Sequence, residues 1–144
     1  MARINCYLAL NGNCREAMTF YKECFGGVLS FQTIQESPMA ARFPEFMQSR
    51  ILHSTLIHGD LIIMASDLSG EKEMVQGNSV SLSLTCDNEA QTFQYFESLS
   101  EGGEVAHPIH EFFAGLMGNL VDKYGVKWMF YFEKQTLMSE LLPG

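Results

Sequence analysis

Apolar and polar positions alternate from the start of the chain. Ile4, Cys6, Leu8 and Leu10 fall on one face of an extended segment, and Asn5, Tyr7 and Ala9 on the other. Asn11-Gly12 signals a turn. Asn13 followed by Glu16 reads as a capping box opening a helix to about Phe25. Ala17, Phe20, Tyr21, Cys24 and Phe25 share one helical face, and Gly26-Gly27 closes the helix. Val28 to Ile34 predicts a second strand. Arg50 to His58 and Asp60 to Ser66 predict a hairpin turning at Gly59-Asp60. Gln35 to Ser49 shows no clean period. Pro38 and Pro44 exclude a buried strand there, while Met39, Phe43, Phe46 and Met47 do not suit a disordered linker. The expectation is a mobile apolar flap over a ligand or a partner subunit.

Asp67 to Asn78 is polar and links two halves, and the same programme then restarts. Ser79 to Cys86 alternates strictly, with Val80, Leu82, Leu84 and Cys86 against Ser81, Ser83 and Thr85. Asp87 is the expected cap of a helix to about Ser100, closed by Gly102-Gly103. Strands follow near Glu104 to Pro108, Phe113 to Asp122 and Val126 to Glu133. Glu16-Ala17-Met18-Thr19-Phe20 matches Glu89-Ala90-Gln91-Thr92-Phe93 at four of five positions, and both pentads open a helix ending in Gly-Gly. Each half is therefore strand, helix, then three strands: module one about 3–67, module two about 79–134.

Composition narrows the class. With 144 residues, one domain with its own core is expected. Nine Lys and Arg against 17 Asp and Glu leave a net charge of −8, which disfavours nucleic acid and anionic membranes as partners. The longest apolar runs, near Leu61 to Ala65 and Trp128 to Phe132, are too short to cross a bilayer. No apolar leader follows Met1, and Cys6, Cys14, Cys24 and Cys86 lack metal or redox spacing, so reduced thiols in a cytoplasmic protein are expected.

Three segments carry a resemblance. Asn11 to Ala17 with Phe20-Tyr21 and Phe25-Gly26-Gly27 is the first. Ile51-Leu52-His53-Ser54 through Gly59-Asp60 to Met64-Ala65-Ser66-Asp67 is the second. Gly118 through Asp122-Lys123-Tyr124-Gly125-Val126-Lys127-Trp128-Met129 is the third. In this order they resemble the PhnB-like branch of the vicinal oxygen chelate superfamily, which includes glyoxalase I, bleomycin-resistance proteins and extradiol dioxygenases. The resemblance implies an α+β fold: two βαβββ modules curling an eight-stranded mixed sheet into a cup, helices outside, usually as a homodimer. In metal-using members, residues of the first and last strands of each module hold a divalent ion that polarises an oxygen substrate.

The expected ligand positions do not carry over. The cup-facing residues of the two first strands are Asn5, Tyr7 and Ala9, and Ser81, Ser83 and Thr85. The position matching the terminal glutamate is Met129 or Phe130. No inherited metal site and no cofactor are therefore expected. Candidate cup residues are Tyr7, His53, Thr55, Met64, Phe113, Trp128 and Glu133, which would hold a small, partly apolar molecule. The alternative is a metal-dependent lyase, isomerase or dioxygenase with a rearranged site at His53, His110 and Glu133. A third reading is a dimer whose cup is vestigial. A methyltransferase is not supported, because no strand leads into a Gly-rich G-x-G loop for an adenosyl cofactor.

Overall fold

In the computed structural model of the chain, residues 1–67 and 74–134 are described. The chain divides into two compact units, Met1–Val75 and Gln76–Gly144. The first holds β1 (Cys6–Ala9), α1 (Cys14–Phe25), β2 (Val28–Thr33), β3 (Ile51–His58) and β4 (Leu61–Ser66). The second repeats the order with β5 (Leu82–Thr85), α2 (Glu89–Ser100), β6 (Glu104–Phe112), β7 (Gly115–Val121) and β8 (Lys127–Glu133). Each unit builds one four-stranded mixed sheet, ordered β1-β4-β3-β2 and β5-β8-β7-β6. The first and last strands of each module pair in parallel, and the other neighbours pair antiparallel. The fold is α+β, made of two βαβββ modules.

In the first unit α1 packs on β2, β3 and β4. Ala17, Phe20, Tyr21 and Phe25 are buried, as are Leu56, Ile63 and Ala65. The strand alternation extends beyond the pairing. Ile4, expected on the core face, is fully exposed, because β4 offers partners only to Cys6–Ala9. Ile51, two residues before His53 on the same strand, is buried at 1% exposure. The β2–β3 register shifts between Gln32 and Thr33, which breaks the alternation there.

The helix starts differ from the expected caps. Asn13 makes no side-chain cap bond. Instead the buried Asp67, just past β4, accepts from the Gly12 and Cys14 N–H groups with Oδ1, at 2.9 and 3.0 Å. Its Oδ2 accepts from the Ile51 N–H at 2.9 Å. At α2 the cap is Asn88 rather than Asp87. Asn88 Oδ1 accepts from the Gln91 N–H, while Gln91 Oε1 accepts from the Asp87 N–H, each at 2.8 Å.

The Gly-Gly pairs do more than stop helices. Gly27 has φ +97°, and a Cβ there would lie 2.5 Å from the Ile57 carbonyl oxygen. At Gly103 a Cβ would meet the Val121 carbonyl oxygen in the same way. In both modules the chain entering the edge strand presses on its neighbour's backbone, and only glycine permits that approach.

The segment 35–49 is a closed loop, not an open flap. The Ile34 N–H bonds the Arg50 carbonyl, and the Gln35 N–H the Gln48 carbonyl, both at 3.0 Å. Two 3-10 turns, Ala40–Arg42 and Glu45–Met47, fill it. The Gln48 amide donates to the Ala40 and Phe43 carbonyls at 2.8 and 2.9 Å. Phe46 points into solvent, 73% exposed, with the Arg50 guanidinium 5.8 Å from its ring. Backbone bonds and the Gln48 amide, rather than its apolar side chains, close this Ω-type loop.

Candidate functional site

One face of each sheet is covered by its own helix. In the first module Ser54 Oγ lies 3.3 Å from Cys14 Sγ of α1, and Arg15 of α1 stands 4.8 Å above the Phe31 ring. Alternation places Tyr7, Ser30, His53, Thr55 and Met64 on the opposite face. Register sets Tyr7, Met64, Thr55 and Ser30 in one row across the four strands, with His53 opposite Gln32 in the next. Tyr7 and His53 stack at 5.8 Å between centroids and 29° between planes, and Tyr7 Oη reaches His53 Nδ1 at 3.4 Å. Ser30 Oγ and Thr55 Oγ1 lie 3.2 Å apart. Four residues singled out from the sequence, Tyr7, His53, Thr55 and Met64, thus meet on one surface. Chemically it is an aromatic platform beside two hydroxyls.

The second module corrects one assignment. Trp128 does not face away from α2. It pairs with Leu82 and Leu120, is 3% exposed, and donates its indole N–H to Asp122 Oδ2 at 2.8 Å. Phe130, two residues on and on the same face, meets Phe96 of α2 edge-on at 5.1 Å. The helix-free face instead carries two rows: Ser83, Met129, Asn119 and His107, then Thr85, Tyr131, Met117 and His110. Both histidines reach it because β6 is bulged on either side of His107, and an edge strand tolerates Pro108. His107 Nδ1 lies 2.9 Å from Asn119 Oδ1. His110 Nδ1 lies 2.9 Å from its own strand's Pro108 carbonyl.

Glu133 accepts a short hydrogen bond from the Tyr131 hydroxyl. That bond, ahead of partial burial and the carboxylate's charge, holds the Tyr131 phenol above its ordinary pKa. Phe113 sits in the β6–β7 turn, 81% exposed, edge-on to Phe112 at 5.3 Å. Phe112 in turn lies 5.5 Å from the Tyr131 ring. The bulges that re-aim β6 leave no signature in the alternation.

The donor set does not fit a divalent ion at the superfamily positions. Tyr7, Ser83 and Met129 stand where the first and last strands present side chains to the helix-free faces. Within each unit, the phenol of the first and the hydroxyl and thioether of the second are poor donors to a divalent metal. Among the described residues, no group of three or more His, Cys, Asp or Glu side chains is placed to hold a metal ion. His53, His110 and Glu133 instead engage Tyr7, the Pro108 carbonyl and Tyr131. The thiols are not activated either, since burial pushes Cys6 and Cys14 up to about 11. Among the described residues, no helix is long and apolar enough to cross a membrane.

A family model described as 3-demethylubiquinone-9 3-methyltransferase matches residues 2–131. The chain is 35% identical to protein PA1353 from Pseudomonas aeruginosa, whose crystal structure matches with a TM-score of 0.79 over 92% of this chain and 98% of that one. The PhnB protein from Bacillus cereus shares the fold at 24% identity, with a TM-score of 0.72 over 91% of this chain and 99% of that one. Protein YjdN of Escherichia coli strain K12 is 27% identical over 140 residues, which is 90% of this chain and 94% of that protein. Solved glyoxalase-related and glyoxalase/bleomycin resistance/dioxygenase family enzymes share the fold alone, at 16% identity. With the family model running from the first strand into the last, and the duplicated βαβββ order beneath it, the chain belongs to the 3-demethylubiquinone-9 3-methyltransferase family.

Proposed function

We propose that this protein binds a small, partly apolar molecule on the helix-free sheet faces of its modules, without the superfamily's metal tetrad. The two modules would act as a single glyoxalase-like domain. The observation that carries the reading is the surface of Tyr7, His53, Thr55, Met64 and Ser30. It is a stacked aromatic pair beside hydroxyls on rigid strands. Such a surface supplies apolar contact area and a few fixed polar groups, as small-molecule sites do. A homodimer and a cytoplasmic location complete the proposal. They rest on the family resemblance and on four cysteines free of disulfides.

The methyltransferase description of the family is not carried over to this chain. The first strand-to-helix turn is Asn11-Gly12-Asn13, and Asp67 already occupies the Gly12 and Cys14 N–H groups at the start of α1. A dinucleotide-type or adenosyl cofactor site needs those groups free and a Gly-rich turn in front of them.

The test is a ligand screen on protein stripped with EDTA, read by NMR shifts of Tyr7, His53 and Thr55. Ligands that move these signals in metal-free protein, and bind at least about tenfold more weakly to Tyr7→Ala, are expected. Binding that arises only after one equivalent of zinc, nickel, manganese or iron is added would overturn the proposal in favour of a metal-dependent lyase, isomerase or dioxygenase.

A further inference from the structure

On the helix-free face of the second module, two histidines and two methionines hold neighbouring positions. His107 pairs with Asn119 and His110 with Met117 across β6 and β7, and Met129 of β8 is the other partner of Asn119. Asn119 and Met117 are two residues apart on β7, so the imidazoles stand one row apart, about 7 Å along the strands. The bulge between His107 and His110 creates this spacing. A straight strand would send residues three apart to opposite faces; the bulge makes the pair equivalent to His-x-His on one face. Met117, opposite His110 and diagonal to His107, is within side-chain reach of both positions. The rings are also oriented. A carbonyl only accepts, so the 2.9 Å contact to the Pro108 carbonyl puts the His110 proton on Nδ1. The Asn119 side-chain oxygen does the same for His107 at 2.9 Å. In each neutral ring the lone pair is then on Nε2, and among the described residues neither Nε2 has a hydrogen-bond partner. Metal-ligating histidines have this arrangement, one N–H anchored to a fixed oxygen and the other nitrogen bare.

We infer that His107, His110 and Met117 form a site for a soft monovalent metal ion, copper(I), with Met129 as a further thioether at its edge. The inference is independent of the small-molecule reading, which the Tyr7 and His53 surface of the other module carries. The donors choose the ion. All of them are uncharged, so they offset little of the cost of stripping water from a dication. Among the described residues, His, Cys, Asp and Glu side chains nowhere gather in threes, so no carboxylate or thiolate completes a harder site around these rings. Glu133, two rows from His107 on the same face, is engaged by the Tyr131 hydroxyl. Thioether sulfur is a soft donor and selects copper(I) among the biological first-row ions. A monovalent ion with two or three ligands needs no anionic partner, and two imidazoles with one thioether meet that need. Both histidines are exposed, so an ion held there exchanges with solution. The net charge of −8 adds a long-range field that draws cations in.

The test is an oxygen-free titration with copper(I) supplied as its bicinchoninate complex, with zinc(II) as the comparison ion. Cys6→Ala is the background, since it removes the half-buried thiol and leaves Cys14, Cys24 and Cys86, which are buried. One equivalent of copper(I) should bind, read by NMR shifts of the His107 and His110 Nε2 atoms and the Met117 methyl. Zinc(II) should leave those signals in place at the concentration where copper(I) saturates them. His110→Ala and Met117→Leu, the second a swap that keeps volume and apolarity, should each weaken copper(I) by about tenfold or more. Asn119→Ala touches no ion but releases the His107 ring, and should weaken copper(I) by about tenfold. His110 is exposed, so its variant keeps the test decisive should a change on β7 disturb the sheet. A fortuitous pair of surface histidines would bind zinc(II) at least as well and ignore both Met117 and Asn119. No shift at these three residues, shifts confined to cysteines, zinc(II) binding as tightly as copper(I), or full affinity in His110→Ala or Met117→Leu would each overturn the inference.

Discussion

Replacing Asp67 tests how the first module is held together. Its carboxylate reaches three backbone N–H groups in two separate stretches: Gly12 and Cys14 at the start of α1, and Ile51 at the start of β3. Its own N–H bonds the Ile51 carbonyl at 2.9 Å. Asp67→Ala keeps that backbone bond and strands three donors, two of them at buried sites. A stranded buried donor costs about 1 to 3 kcal/mol, and water relieves part of this near the exposed Gly12. The expected loss is about 3 to 5 kcal/mol, a large share of a domain stability of about 5 to 15 kcal/mol. Asp67→Asn keeps one acceptor oxygen but turns an NH2 toward an N–H donor, so about 2 kcal/mol is expected. Urea denaturation followed by far-UV circular dichroism measures both. Trp128, the one tryptophan, is buried in the second module and reports that module separately. A loss below about 1 kcal/mol for Asp67→Ala, or wild-type stability for Asp67→Asn, would refute the account.

Other consequences follow from the same packing. Phe20, 6% exposed on the buried face of α1, should cost about 3 to 5 kcal/mol when truncated to Ala in the same assay, and a loss under about 1 kcal/mol would refute that packing. Alkylation of Cys6 and Cys14 by iodoacetamide in the folded protein should be slow at pH 8 and keep accelerating beyond pH 9, since burial pushes both thiols up to about 11. Unfolded thiols lose their protons first, so this contribution to stability is full below about pH 9 and is lost as pH rises toward 11; a rate that levels off at pH 9 would contradict it. Gln48→Ala removes two bonds to carbonyls inside the 35–49 loop, and amide exchange there should quicken by about tenfold or more while β3 is unchanged. Unaltered exchange would show that the clamp is not what orders the loop.

Much of the architecture is legible in the alternation. Cys6 to Ala9, Leu82 to Thr85, the helical face of Ala17, Phe20 and Phe25, and both Gly-Gly stops are found where period and turn chemistry put them. What escapes the sequence is set by pairing between distant segments. Ile4 continues the apolar alternation of β1 yet lies bare, because the β1–β4 pairing reaches no further than Cys6 and Ile63. Lys127 to Glu133 has bulky residues on both faces, so alternation alone does not say which set meets α2. The Phe96–Phe130 contact decides that, and Trp128 follows Phe130 into the core. His107 and His110, three apart, look incompatible with one strand face until the bulges around His107 are known. Asp67 lies in a segment that carries the family resemblance, but nothing in its local sequence says that it caps a helix 53 residues away.

The two modules have kept one skeleton and moved the polar supports within it. In the first, a carboxylate after the last strand holds the helix start, and the expected cap residue, Asn13, makes no cap bond. In the second, Asn88 caps α2 locally and the buried carboxylate stands instead after the third strand. There Asp122 accepts from the Tyr124 and Val126 N–H groups and from the Trp128 indole. The supports all lie under the helices or at strand ends, where the core constrains them. The helix-free faces carry no such duty, and their residues differ between the modules. One presents a Tyr–His pair with hydroxyls, the other an aromatic cluster ending in a carboxylate. Where a duplicated scaffold keeps its buried geometry and changes its uncovered faces, the faces are where selectivity for a ligand is set. Substitutions at Tyr7 and at Glu133 should accordingly change which molecules bind while leaving the unfolding midpoint within about 0.5 kcal/mol of wild type. A stability loss of several kcal/mol at either position would instead make that face part of the fold's support.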